Sequence, residues 1–131
     1  MKKILLMSIV AGGLLFAEGV VNRENIKVMQ DLETSIAVIQ KGFFYNNEGI
    51  VANGVNDVKA LMKNIDAFKI QNEDDLKFDS HKYAKDESES ISLLADTLLT
   101  QFKDGKKDDS TRTYSTILNK CIACHKIIRK W

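Results

Sequence analysis

Apolar residues recur at intervals of three and four along four stretches of the chain, and polar breaks separate the stretches. Those intervals lay the apolar positions on one face of an α-helix, which turns once in about 3.6 residues. The first stretch runs from about Asn22 to Tyr45 and carries Ile26, Met29, Leu32, Ile36, Ile39 and Phe43. The second, from Glu48 to Phe68, carries Val51, Val55, Val58, Leu61, Met62 and Ile65. The third starts near Asp79-Ser80 and runs to about Phe102 along Tyr83, Glu87, Ile91, Leu94, Leu98 and Phe102, with Glu87 a charged interruption that reads as a snorkelling surface position or as the edge of a buried group. The fourth, from about Asp109 to Lys130, aligns Tyr114, Ile117, Leu118, Cys121, Cys124, His125 and Ile128.

The breaks have the chemistry of helix ends. Asn46-Asn47 ends the first stretch and caps the second, and Asp79 and Ser80 are good N-caps for the third. Asp104 to Asp108, around Gly105, reads as a turn, and the polar, acidic run 71–79 reads as the long connection of the fold. Asp108 and Asp109 stand at the positive end of the fourth helix and Lys126, Arg129 and Lys130 at its negative end, as the macrodipole favours. Gly49 and Gly54 each weaken the second helix by about 1 kcal/mol relative to Ala unless close packing uses them. The chain has no proline. No strand-like alternation and no internal repeat interrupts the pattern, and short connections make helices one and two, and three and four, antiparallel neighbours. The expectation is all-α: an antiparallel up-down four-helix bundle.

The N-terminus adds an address. Met1-Lys2-Lys3 is a basic n-region, Ile4 to Phe16 an apolar core and Ala17 a small residue at the cleavage point, so residues 1–17 read as a cleaved signal peptide and 18–131 as one bundle domain. The apolar run is short of the ~20 residues of a membrane span, and no second run follows, so no span remains after cleavage. Loss of Lys2 and Lys3 takes the formal charge from +1 to −1. No basic stripe is left to bind nucleic acid. Export places the protein in the periplasm.

Cys121-Ile122-Ala123-Cys124-His125 changes the picture most. C-x-x-C-H is the attachment pattern for haem c: two thiols form thioethers with the vinyl groups and the imidazole ligates iron from one face. These are the only two cysteines in the chain. On a helix, positions i, i+3 and i+4 share a face, so all three side chains point inward and one covalent haem lies in the core beside the C-terminal helix. A disulfide or thioredoxin-like pair lacks the βαβ setting such motifs need. A structural zinc needs four ligands, and His81 is the only histidine outside the motif.

A haem motif in the last helix of a four-helix bundle, near the C-terminus, resembles the class II c-type cytochromes, cytochrome c′ and its low-spin relatives. The resemblance is specific at Cys121, Cys124 and His125, with Arg129 in a basic tail like the family's, implying a propionate or proximal contact there. It makes His125 the proximal iron ligand. It also implies that a residue early in the first helix faces the other side of the iron, and the matching register is Met29; Met62 and His81 are the other side chains with a donor atom for that face. Many members carry an arginine one turn earlier, where this chain has Asn25, with Arg23 two residues before it. With Met29 ligating, the protein is a one-electron carrier serving periplasmic redox partners and not an enzyme. With Met29 not ligating, it is a five-coordinate cytochrome c′ that binds nitric oxide or carbon monoxide in an apolar distal pocket lacking a hydrogen-bond donor for dioxygen. The family often dimerises through its first two helices, which points to a homodimer with Val28, Ile50 and Val51 on the contact face.

Overall fold

The computed structural model describes residues 23–64 and 78–129. They form four helices and, among the described residues, no strand: α1 (Arg23–Phe44), α2 (Glu48–Met62), α3 (Ser80–Lys103) and α4 (Lys107–Arg129). Successive helices pack along one another, whereas α1 and α4 meet chiefly through side chains. No helix among the described residues is long and apolar enough to cross a membrane. The leader 1–17, Ile65, Phe68 and the run 71–77 lie outside the described residues.

Both tight connections are Schellman closures. After α1, Asn46 takes a left-handed φ of 47°, its N–H donates to Phe43 O at 3.1 Å, and Asn47 N–H donates to Gly42 O at 2.9 Å. Asn47 then serves α2, its Oδ1 accepting from Ile50 N–H at 3.0 Å. After α3, Gly105 has a φ of 75° and donates to Phe102 O at 3.2 Å, while Lys106 N–H donates to Gln101 O at 2.8 Å. This closure lets α4 start at Lys107, two residues before the position read from sequence. Asp79 caps α3 through Lys82 N–H at 2.8 Å. α2 ends at Met62, short of Phe68, as Lys63 and Asn64 N–H groups turn back onto Ala60 O and Leu61 O.

Glycine sets the α1–α2 spacing. A Cβ on Gly54 would stand 2.7 Å from Ile39 Cγ1 and 2.8 Å from Ser35 O, and one on Gly42 would stand 2.5 Å from Val51 Cγ2. The weakness in helix propensity is therefore offset by close backbone approach. A salt bridge from Lys59 to Asp96, at 2.6 Å, ties α2 to α3. Ile39, Val51, Val55, Val58, Leu98 and Ile117 are fully buried. At the end of the bundle holding the α1–α2 and α3–α4 turns, Phe43 packs on Phe102 at 5.3 Å and edge-on to Tyr114 at 5.5 Å, closing the core.

Three stripes are rotated from their sequence reading. In α1, Val28 is buried and Ile26 is 38% exposed. In α3, Ala84, Ser88 and Ala95 are buried, with Tyr83, Glu87 and Leu94 half-buried at the flank. In α4, Ser110 and Thr113 are buried because their hydroxyls donate to Leu98 O at 2.9 Å and to Gln101 Oε1 at 2.7 Å. Counting large apolar residues overlooks small ones, which let helices approach and so go deepest. The contact face drawn through Val28, Ile50 and Val51 does not exist: Val28 and Val51 are in the core and Ile50 is half-buried.

Candidate functional site

At the other end of the bundle, where α1 and α3 begin and α2 and α4 finish, side chains leave about 220 Å³ between them, partly open to solvent. The lining comes from all four helices: Met29, Leu32, Glu33 and Ile36 of α1, Met62 of α2, Ala84, Glu87, Ser88 and Ile91 of α3, and Leu118, Cys121, Cys124 and His125 of α4. The walls are mostly apolar. At roughly 24 cal/mol per Å³, filling 220 Å³ of enclosed core is worth about 5 kcal/mol, and less where the space meets water. That is comparable with the whole stability of a small domain.

Small residues on α3 create this space. Ala84 and Ser88, one turn apart, occupy inward positions that Leu98 and Phe102 fill at the closed end. α4 supplies the donors. Cys121, Cys124 and His125 are half-buried along one face, as their i, i+3, i+4 spacing requires. Both cysteines are free thiols. Burial, followed by the nearby Glu87 carboxylate, pushes the Cys124 thiol up to about 11, and burial raises Cys121 as well. Redox dithiols work through lowered thiol pKa values, so this environment disfavours thioredoxin-like chemistry. Glu87 itself is held by Lys120 Nζ at 3.2 Å across α3 and α4. It is half-buried and lines the cavity, which favours the edge position over the surface one.

Met29 on α1 and Met62 on α2 bring two methionines to the same lining. Met62 is only 6% exposed. His81 is exposed at the start of α3 and is not in the lining. Arg129 is the last residue of α4, and its side chain lies outside the described residues. Among the described residues, no three His, Cys, Asp or Glu side chains gather as a bare-ion site. The donors instead divide between helices: imidazole and two thiols on α4, thioethers on α1 and α2. Such a set suits a group that brings its own equatorial ligands and takes axial ones from the protein.

The structure places Met29, Cys121, Cys124 and His125 in the lining of one cavity. Ala84, Ser88 and Glu33 were not foreseen in the lining. The available signal was the pair of small residues at a four-residue interval, which reads as weak patterning until its neighbours are known. Ser88 also puts a hydroxyl in a lining expected to have no hydrogen-bond donor. No protein-family model, curated protein or solved structure matches this chain.

Proposed function

We propose that the protein is a c-type cytochrome of the class II kind, exported to the periplasm by residues 1–17, that carries one electron at a time on a single covalent haem. One observation carries the reading: Cys121, Cys124, His125 and Met29 line the same mostly apolar cavity. The residues fit the group. Cys121 and Cys124 would hold it as thioethers, His125 would ligate iron from the α4 wall, and Met29 from the α1 wall. The haem supplies a one-electron couple, and His/Met ligation raises its potential. The chain supplies the rest. Leu32, Ile36, Ile91 and Leu118 keep water from the site, and low polarity favours the less charged state of the centre. Ligands anchored on two packed helices move little when charge changes, which suits fast transfer to periplasmic partners. With His125 and Met29 both serving as ligands, the iron would have no open site for substrate chemistry.

The test is the protein matured with haem. Denaturing electrophoresis and mass measurement should find one haem that survives denaturation in the wild type and none in Cys121→Ala/Cys124→Ala. Ferric and ferrous spectra should be low-spin, with a methionine–iron charge-transfer band and no rapid carbon monoxide binding. High-spin spectra that shift at once with carbon monoxide would replace the carrier with a five-coordinate gas-binding cytochrome c′.

A further inference from the structure

The cavity holds a second thioether that the carrier reading leaves without a role. Met62 ends α2, and the antiparallel register of α1 and α2 fixes its level. Gly42 sits on Val51 and Gly54 on Ile39. The same register, extended toward the open end, sets Met29 and Met62 within two residues of the same level, about 3 Å of helical rise. Tyr114 packs on Phe43 and its hydroxyl reaches Ile36 O at 3.5 Å. Continued along α1 and α4, these two contacts bring Met29 level with the stretch of α4 that contains Cys121 to His125. Both methionines therefore line the cavity at about the level of Cys121 to His125. They are the only methionines after residue 17.

We propose that Met62 is a reserve axial ligand, able to replace Met29 on the iron. The proposal rests on the carrier reading, since it needs a thioether ligand to replace. A methionine side chain has three rotatable bonds and no branching, so it can redirect its sulfur without moving its helix. Met62 is buried, at 6% exposure, beside the cavity it lines. His81, the other donor considered for this face, is excluded by its exposure and its place outside the lining.

The experiment compares haem-loaded wild type, Met29→Leu, Met62→Leu and the double variant. Leucine keeps the volume and cannot ligate. Spectra and carbon monoxide binding are read on each, together with NMR of proteins carrying 13C-methyl methionine, in which a ligated methyl is shifted far from a free one. Both single variants should keep the charge-transfer band and resist carbon monoxide, and the shifted methyl in Met29→Leu should be that of Met62. The double variant should turn high-spin and bind carbon monoxide. Loss of the band in Met29→Leu, with wild type retaining it, overturns the proposal and leaves the carrier reading intact. Loss in Met62→Leu alone also overturns it, because Met62 is then the resident ligand. A wild type without the band overturns both.

Discussion

Gly54→Ala probes the contact on which the methionine wall depends. In an isolated helix this exchange is favourable by about 1 kcal/mol. Here the new Cβ would meet Ile39 Cγ1 at 2.7 Å, Ser35 O at 2.8 Å and Ile39 N at 2.9 Å. Two of those three atoms are α1 backbone and cannot swing aside, so α1 and α2 must separate. Overpacking of this kind costs about 1–3 kcal/mol, and because backbone has to move this site falls in the upper part of that range, about 2–3 kcal/mol. The propensity gain cancels part of it, leaving a net loss of about 1–2 kcal/mol. For a domain near 100 residues each kcal/mol lowers the melting temperature by about 4–8 °C. Gly49→Ala is the comparison: its Cβ would meet only Asn47 Oδ1, at 3.3 Å, and Gly49 is exposed. It should change stability by less than about 1 kcal/mol. Urea denaturation of the haem-loaded proteins, followed by far-ultraviolet circular dichroism, measures both. A Gly54→Ala variant as stable as wild type would refute the close α1–α2 approach, and with it the register that brings Met29 and Met62 level.

Other expectations concern the core, the caps and the thiols. Ile117 is fully buried, so Ile117→Ala should cost about 2–5 kcal/mol in the same denaturation assay; a loss under about 1 kcal/mol would mean that α4 does not seat on the core. Asn47→Ala removes the acceptor for Ile50 N–H and should cost about 1 kcal/mol, visible as a lower urea midpoint with unchanged slope. In the haem-free chain, Cys124 keeps its proton until about pH 11 against an ordinary 9.0. The folded state then binds a proton that the unfolded chain has lost, so stability is full below pH 9 and falls as pH rises from 9 toward 11. Alkylation rates against pH, measured in Cys121→Ser, should place the Cys124 midpoint well above 9 and lower it in the Glu87→Gln background. An ordinary midpoint would mean that the end of α4 does not hold against α3 without the prosthetic group.

The architecture was legible because its signals are local. Asn47, Asp79 and Gly105 mark ends through their own backbone chemistry, and the three- and four-residue intervals require helices whatever packs against them. The rotation of each stripe was not legible. Ala84 and Ser88 carry almost no hydrophobic signal, yet they are the residues buried at the cavity. Ser110 and Thr113 lie outside the apolar pattern, and the acceptors on α3 satisfy their hydroxyls where they are buried. Glu87 and Lys120 are 33 residues apart, and neither sequence position announces the other. The donors at Cys121, Cys124 and His125 were readable as a string. That Met62 shares their cavity follows from helix register, which the string does not contain.

The placement of the cavity follows from how side-chain size is distributed along the helices. In an up-down bundle the ends of α2 and α4 fall beside the beginnings of α1 and α3. On α3 the inward residues grow from Ala84 and Ser88 through Ile91 to Leu98 and Phe102. On α1 they pass from Val28 and Leu32 to Ile39 and Phe43. Both gradients put bulk at the turn end, where Phe43, Phe102 and Tyr114 close the core, and leave space at the opposite end. α4 runs the other way, from Ser110 and Thr113 to Cys121, Cys124 and His125, so its reactive residues arrive where its neighbours are smallest. Tight packing at the aromatic end then serves the site in a second way. It anchors four helices whose other ends must stay apart, and it can do so because close-packed interiors transmit position with little give. The two functions are separable by mutation. Changes at Ile117 should lower stability while leaving the proposed iron ligation in the surviving folded fraction intact, whereas joint replacement of Met29 and Met62 should abolish thioether ligation with little effect on the aromatic end.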